Sequence, residues 1–221
     1  MTTPVDICNR ALSLIGGRAT IATFAEPGVE ALQCRLHYEA TRQSLLRRHP
    51  WGFARAQVAL AELGNPPAPW RHQYAMPGRC LRLRFVMSAA APVCPGMAVP
   101  SGGGFGNYQI GTTAGTDPHP VTVILTDIPN AMAVYTADIE DPGLWDAGFT
   151  TAMVHALAAA ICQGITGDKG LSQALTQMAQ LTVNTAMASS ANESPSIRPT
   201  HTPDWIAARN GYGDITPLEA S

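Results

Sequence analysis

Lysine is almost absent from this chain of 221 residues: Lys169 is the only one, and the other 13 basic residues are arginines. Charged residues make up only 14% of the sequence, against about 25% in an average soluble domain. A lone monomer with so little charge would be poorly solvated, so much of its surface is expected to be covered by partners. The net charge of −2 excludes the global basic field that gathers nucleic acid. Cysteine is sparse and unpatterned. Cys8, Cys34, Cys80, Cys94 and Cys162 are odd in number and widely spaced, with no CxxC. That predicts reduced thiols in a cytosolic setting and argues against a disulfide framework or a zinc site. HExxH, GxSxG, a Walker phosphate loop and a GxGxxG placed after a strand are all missing, which removes the motif-bearing hydrolases, nucleotidases and dinucleotide enzymes. The N-terminal stretch has neither a basic n-region nor a cleavage site, so it does not read as a secretory signal. Ala147 to Gly167 is free of Asp, Glu, Lys and Arg. Its Ala, Thr and Gly content, with His155 and Gln163 inside, predicts a buried helix rather than a membrane span.

What is present is apolar residue content of 46%, enough to exclude bulk disorder and to fill one real core. The length fits one domain, or one domain with an insertion. Charge is divided unevenly along the chain. Arg35, Arg42, Arg47, Arg48, Arg55, Arg71, Arg79, Arg82 and Arg84 face only Glu39 and Glu62 over residues 35–84, which gives 9 − 2 = +7. The remainder has five basic residues and fourteen acidic ones, or −9. Such a chain either displays a solvated basic face or pairs that face with an acidic one, its own or a neighbouring copy's.

Hydrophobic spacing predicts the elements. Thr3 caps and Pro4 opens a first helix, which Gly16-Gly17 ends. A second helix is expected from about Gly28 to Arg48, with Val29, Leu32, Leu36, Glu39, Gln43 and Leu46 on one line and Cys34, Tyr38 and Leu45 beside it. It stops at His49-Pro50, because a residue before proline avoids helical geometry. From Trp51 the period moves toward two. Phe53, Ala56, Val58 and Leu60 suggest an extended segment. Leu81, Leu83, Phe85 and Met87 alternate with Arg82, Arg84 and Val86 as in a half-buried strand. Residues 88–116 carry no charge and are rich in Gly and Pro, which predicts a long loop or a hairpin with a mobile tip. Val121–Leu125 and Ala131–Ala137 read as two more strands. A third helix follows, led by Leu144, Trp145 and Phe149, with a small-residue face at Ala152, Ala156, Ala159, Ala160 and Gly164. A fourth spans about Leu171 to Ala188, with Leu171, Leu175, Met178 and Leu181 or Thr182 as its stripe. Prolines at 195, 199 and 203 open a tail. The expected fold is α+β: an antiparallel helical bundle of about four helices with a β-rich insertion between helices two and three, and an extended C-terminal tail. The helical scaffold takes residues 1–50 and 138–194, the insertion 51–137 and the tail 195–221.

No residue stands out as catalytic, cofactor-binding or metal-ligating. Gly102-Gly103-Gly104-Phe105-Gly106 lacks the lysine of a phosphate loop and reads as a flexible or contact loop. The acidic group Asp138, Glu140, Asp141 and Asp146 fits no calcium loop, and Asp141 and Asp146 suit a helix start. Arg42, Arg47 and Arg48 lie near the end of helix two, where cations complement the dipole. Trp51, Phe53, Trp145 and Phe149 are expected in the core, Leu81, Leu83 and Phe85 in the core of the insertion.

Several runs together carry a resemblance. They are Asn9-Arg10-Ala11-Leu12-Ser13-Leu14-Ile15-Gly16, Glu30-Ala31 with Tyr38, and Leu45-Leu46-Arg47-Arg48-His49-Pro50-Trp51-Gly52-Phe53-Ala54. Trp70, Tyr74, Pro77 and Cys80-Leu81-Arg82 continue them, then Asp141-Pro142 with Trp145-Asp146 and Phe149, Leu157-Ala158-Ala159 and Ile165-Thr166-Gly167-Asp168. The last is Pro203-Asp204-Trp205-Ile206-Ala207-Ala208-Arg209. The chain resembles the tail tubular protein A, or head–tail connector (adaptor), family of tailed bacteriophages over both helical halves and the tail; residues 88–116 depart from it. The resemblance implies a structural virion protein with no enzymatic activity and no cofactor or metal. It implies a homo-oligomeric ring of about twelve copies between the portal protein and the distal tail, whether nozzle, stopper or tail tube. Double-stranded DNA would pass through the channel without sequence-specific binding, no membrane would be involved, and the ring would be assembled in the host cytoplasm. Because DNA must slide, most arginines of residues 35–84 are expected to face protein rather than the lumen. Arg47, Arg48, Trp205, Ile206, Arg209 and Tyr212 are the candidate contacts with the portal or a neighbouring subunit. Trp205, Ile206 and Arg209 have docking on the same subunit as their alternative. Gly102, Gly103, Gly104 and Phe105 form the candidate contact loop. The competing reading is a small DNA-binding regulatory protein, or an enzyme with an unrecognised site.

Overall fold

The computed structural model describes residues 2–17, 20–89, 107–114 and 120–193. They form a mixed α+β fold. Its helices are α1 (Pro4–Leu14), α2 (Val29–Arg48), α3 (Ala147–Thr166) and α4 (Lys169–Glu193), and six strands lie between α2 and α3. The strands are β1 (Arg55–Ala59), β2 (His72–Ala75), β3 (Cys80–Ser88), β4 (Tyr108–Ala114), β5 (Pro120–Thr126) and β6 (Ala131–Ala137). The Trp205 to Tyr212 contacts and the Gly102 to Phe105 loop lie outside the described residues.

Local signals place the helix ends. Thr3 Oγ1 accepts from the Asp6 N–H at 3.1 Å and the Asp6 carboxylate accepts from the Thr3 N–H at 2.8 Å, a reciprocal capping box with Pro4 in the first turn. Asp146 caps α3 by accepting from the Phe149 N–H at 2.9 Å. Asp141 caps the single 3-10 turn before it, so Leu144 and Trp145 precede the helix rather than lead it. Gly167 closes α3 at φ +67°, a conformation only glycine adopts cheaply.

The helices bury one core, with α3 at its centre and α1, α2 and α4 packed on it. Ile7 and Leu12 meet Cys34, Tyr38 and Leu45 across Phe149, Met153, Leu157 and Ile161, while Leu175 and Val183 close the α4 side. α3 is long and apolar enough to cross a membrane by length and composition, but these apolar side chains are buried against the other three helices. Cys8, Cys34 and Cys162 are buried free thiols and Cys80 is a half-buried one.

Of the line expected on α2, Leu46 is buried and Gln43 half-buried, but its N-terminal part faces outward. The buried residues of the helix are Ala31, Cys34, Tyr38, Arg42, Leu45 and Leu46, whereas Val29, Leu32 and Leu36 are 54%, 41% and 59% exposed. Both sets repeat with helical spacing, and tertiary packing chose the set containing the aromatic residue. On α4 the buried set is Leu175, Ala179, Val183, Ala186 and Ser190, and Met178 and Leu181 point outward.

The strands form two antiparallel three-stranded sheets, ordered β1-β6-β3 and β2-β5-β4. They share a second core of Tyr74, Leu83, Val86, Ile124, Ala131 and Ala133. The chain leaving β1 crosses from one sheet to the other: the Leu60 N–H donates to Ala131, and the Leu63 N–H to Gln73 on β2. β2 was not expected from the sequence, and β4 falls in the stretch read as a long loop or a hairpin. The strand at 81–87 was expected, but its alternation is broken twice by bulges, between Cys80 and Arg82 and between Leu83 and Phe85. The phase therefore flips. Leu83 and Val86 enter the insertion core, Phe85 stays half-buried with the Arg55 guanidinium 5.9 Å from its ring centre, and Leu81 packs against the helical core instead.

Candidate interaction site at the helix–insertion junction

Phe149 is the hub that joins the two layers. Its ring lies 5.0 Å from Trp51, 5.1 Å from Phe53 and 5.0 Å from Trp145, each contact edge-on or nearly so. Trp51 is fully buried and its Nε1 donates to the Leu45 carbonyl at 3.0 Å; Trp145 Nε1 donates to the Ile139 carbonyl at 3.1 Å. The core roles expected for these four aromatics are the roles they have, Phe53 as a partly buried residue at the edge. His49 joins them edge-on to Trp51.

Arginines fasten the insertion to the end of α2. The two bulge residues of β3, Leu81 and Arg84, both turn to the helical side. Arg84 Nη2 donates to the His49 carbonyl at 2.7 Å and more weakly to those of Leu46 and Arg47, and its Nε donates to Thr136 Oγ1 at 2.8 Å. Arg82 donates to the Arg47 carbonyl at 3.0 Å, and Arg47 to the Leu81 carbonyl at 2.5 Å. Arg82 and Arg84 thereby satisfy carbonyls that a helix C-terminus leaves open. Burial, and then the nearby charges of Arg82 and Arg47, lower the Arg84 pKa; burial and Arg84 lower that of His49.

One turn earlier, Arg42 is completely buried and bonds the Glu39 carboxylate, Asp138 Oδ1 at 2.5 Å and the Ile139 carbonyl at 2.8 Å. Burial alone would lower its pKa, but the two carboxylates outweigh it and raise the value. The acidic group therefore does not act as a unit: Asp138 serves Arg42, Glu140 pairs with Arg79 at 2.6 Å, and Asp141 and Asp146 are caps. Among the described residues no group of three metal-ligating side chains is assembled.

Of the sequence candidates in this region, Arg47 and Arg48 are both exposed at the α2 C-terminus. Arg48 also borders a groove of about 350 Å³ between α2, α3 and α4, with Ala156 and Ala159 of the small-residue face on its floor. Gly164 of that face leaves room for Gln33, whose Oε1 would lie 2.6 Å from an added Cβ. The sequence places Arg42 near the end of helix two and Arg82 and Arg84 on a half-buried strand, but does not disclose their acceptors. The signal for Arg42 was its spacing, four residues after Tyr38 and eight after Cys34, which puts it on the buried side. Five arginines of the basic stretch (Arg42, Arg47, Arg79, Arg82 and Arg84) thus bond within the chain. Compared with known proteins, the chain matches no family model and no curated protein.

Proposed function

We propose that the protein is a head-to-tail adaptor of a tailed bacteriophage: a structural virion subunit that forms a ring between portal and distal tail, through which genomic DNA passes. The observation that carries this reading is where its two most specific sequence runs meet. His49-Pro50-Trp51-Gly52-Phe53-Ala54 and Asp141-Pro142 with Trp145-Asp146 are about ninety residues apart, yet Trp51, Phe53 and Trp145 close on the single ring of Phe149. The aromatic members of these two runs thus belong to one physical joint between helices and insertion, which supports the reading.

The surface supports the same reading. Val29, Leu32 and Leu36 on α2, and Met178 and Leu181 on α4, are outward apolar rows at helical spacing. Their exposure fits a subunit that completes its burial against neighbours. Arg42 and Arg84, held inside the chain, would not grip DNA as it slides.

The test is truncation before Pro195. The shortened chain is expected to keep its helical circular dichroism but to lose attachment to portal-bearing capsids. Unchanged attachment would remove the tail from the mechanism. Absence of the protein from purified virions of its phage would end the adaptor reading altogether.

A further inference from the structure

The groove of about 350 Å³ between α2 and α4 has Ala156 and Ala159 as its floor, Leu45 and Val183 as apolar walls, and Ser44 and Arg48 on its α2 rim. Three contacts fix its direction. Gln33, early on α2, lies against Gly164, late on α3; Trp51, just past α2, meets Phe149, early on α3; and Ala186, late on α4, lies against Gly148. α2 and α4 therefore both run against α3 and finish at the same end. Arg48, in the last turn of α2, stands at that end of the groove. It is exposed, and it makes no hydrogen bond or ion pair among the described residues.

α4 carries the chain out at this same end. Val183 is the last groove residue on α4, and the helix continues ten residues further to Glu193, about 15 Å at the helical rise. Residues 194–221 follow. In them Asp204-Trp205-Ile206 sets a carboxylate directly before two large apolar residues. That is the order needed to enter the groove past Arg48 and then cross the alanine floor. Eleven residues lead from Glu193 to Asp204, with prolines at 195, 199 and 203. A proline-rich stretch of that length reaches about 34 Å, roughly twice the return to the level of Val183. We propose that the groove docks the chain's own tail, with Trp205 on the floor of Ala156 and Ala159 and Asp204 paired with Arg48. An indole suits an apolar floor, and a carboxylate suits a guanidinium that has no partner of its own. Tethering makes a weak site sufficient, because a short linker holds the segment at about millimolar effective concentration. A nucleic acid fits less well, since alanines and one cation offer its backbone little. Docked in this way, Trp205 is withheld from other proteins until one competes for it. The inference goes beyond the adaptor reading and concerns the single, unassembled chain.

The experiment measures acrylamide quenching of Trp205 in the full chain, its emission taken as the difference between wild type and Trp205→Phe. Ser44→Arg crowds the groove and Arg48→Glu reverses its charge; neither residue makes a hydrogen bond or ion pair among the described residues, so both variants are expected to keep the helical dichroism. Trp205 is expected to be shielded in the wild-type chain and opened by Ser44→Arg. Arg48→Glu and Asp204→Arg should each shift the docked-to-free ratio by about fivefold toward free, the upper range for an exposed pair, and the two together should recover most of the shift. A Trp205 as open to quencher as free tryptophan in the wild-type chain overturns the proposal. So does shielding that Ser44→Arg and Arg48→Glu leave unchanged, which would put Trp205 elsewhere, or a double reversal that recovers nothing. Shielding that grows with protein concentration also overturns it, because the groove would then hold a neighbouring copy's tail. Presence of the protein in virions tests the adaptor reading, and that result is independent of all of these.

Discussion

Arg84, in the middle of β3, donates to the carbonyl of His49, the residue that ends α2, at 2.7 Å. A strand of the insertion thereby closes the helix that precedes it, across 35 residues of sequence. The bond exists because a bulge at Arg84 turns a side chain that strict alternation would send elsewhere. Replacing Arg84 with Met should cost about 1–3 kcal/mol, since several half-buried carbonyls lose a charged donor. Lys at this position should recover only part of the loss, because a point charge cannot reach the His49 carbonyl and Thr136 Oγ1 together. Urea denaturation of the two variants checks both statements.

Arg42 is the most costly charge to disturb. Its side chain is wholly buried, and its partner Asp138 is only 15% exposed. Arg42→Met strands that carboxylate in a poorly solvated site, and removing one member of a buried pair typically destabilises by about 3–5 kcal/mol. Replacing both, Arg42→Met with Asp138→Asn, should recover a large part of the loss, because no uncompensated charge remains. A double-mutant cycle by chemical denaturation gives the coupling directly; coupling near zero would show that the pair does not hold α2 to the segment after β6.

These two arginines also mark the limit of what the sequence discloses. Capping chemistry is local, so Thr3-Pro4, the His49-Pro50 stop and the Asp146 cap could be read within a few residues, and the helices followed. The orientation of a helix is not local. Val29, Leu32 and Leu36 repeat as regularly as Ala31, Cys34 and Tyr38, and only the surfaces brought by α1 and α3 decide which set is buried. β2 is four residues long and its stability comes from pairing with β5, so its own composition carries little signal. The bulges of β3 are invisible for a related reason: they depend on register with β6, which lies fifty residues away. For the junction the aromatic members were legible as large apolar residues, whereas the carbonyl acceptors of Arg82 and Arg84 belong to a backbone that only folding brings near.

His49 should make stability depend on pH just below neutrality. Burial, with the Arg84 charge as a second cause, lowers its pKa in the folded protein from the ordinary 6.5. The unfolded chain then binds the proton more readily, so stability rises with pH through this range. The contribution is fully present above about 6.5 and is lost as pH falls toward the lower folded value. The wild-type urea midpoint is expected to drop between pH 7.5 and 5.5, and the drop to be smaller in His49→Gln. Equal slopes in the two chains would mean that His49 is not the group responsible.

Phe149 offers the sharpest test of the joint. The ring is fully buried and touches Trp51, Phe53 and Trp145, which come from both sides of the insertion. Phe149→Ala removes a large buried side chain and leaves a cavity that three aromatic rings, two of them also anchored by Nε1 hydrogen bonds, are poorly placed to fill. The expected cost is about 3–5 kcal/mol. Phe149→Leu keeps most of the volume and should cost less, by an amount that reflects the lost edge-on contacts, each worth about 0.5–1.5 kcal/mol. Because the hub belongs to both layers, the Ala variant should also broaden the unfolding transition or split it between tryptophan fluorescence and far-ultraviolet dichroism. If the two probes stay coincident while stability falls, the helices and the insertion are coupled mainly through Arg42 and Arg84 rather than through the rings.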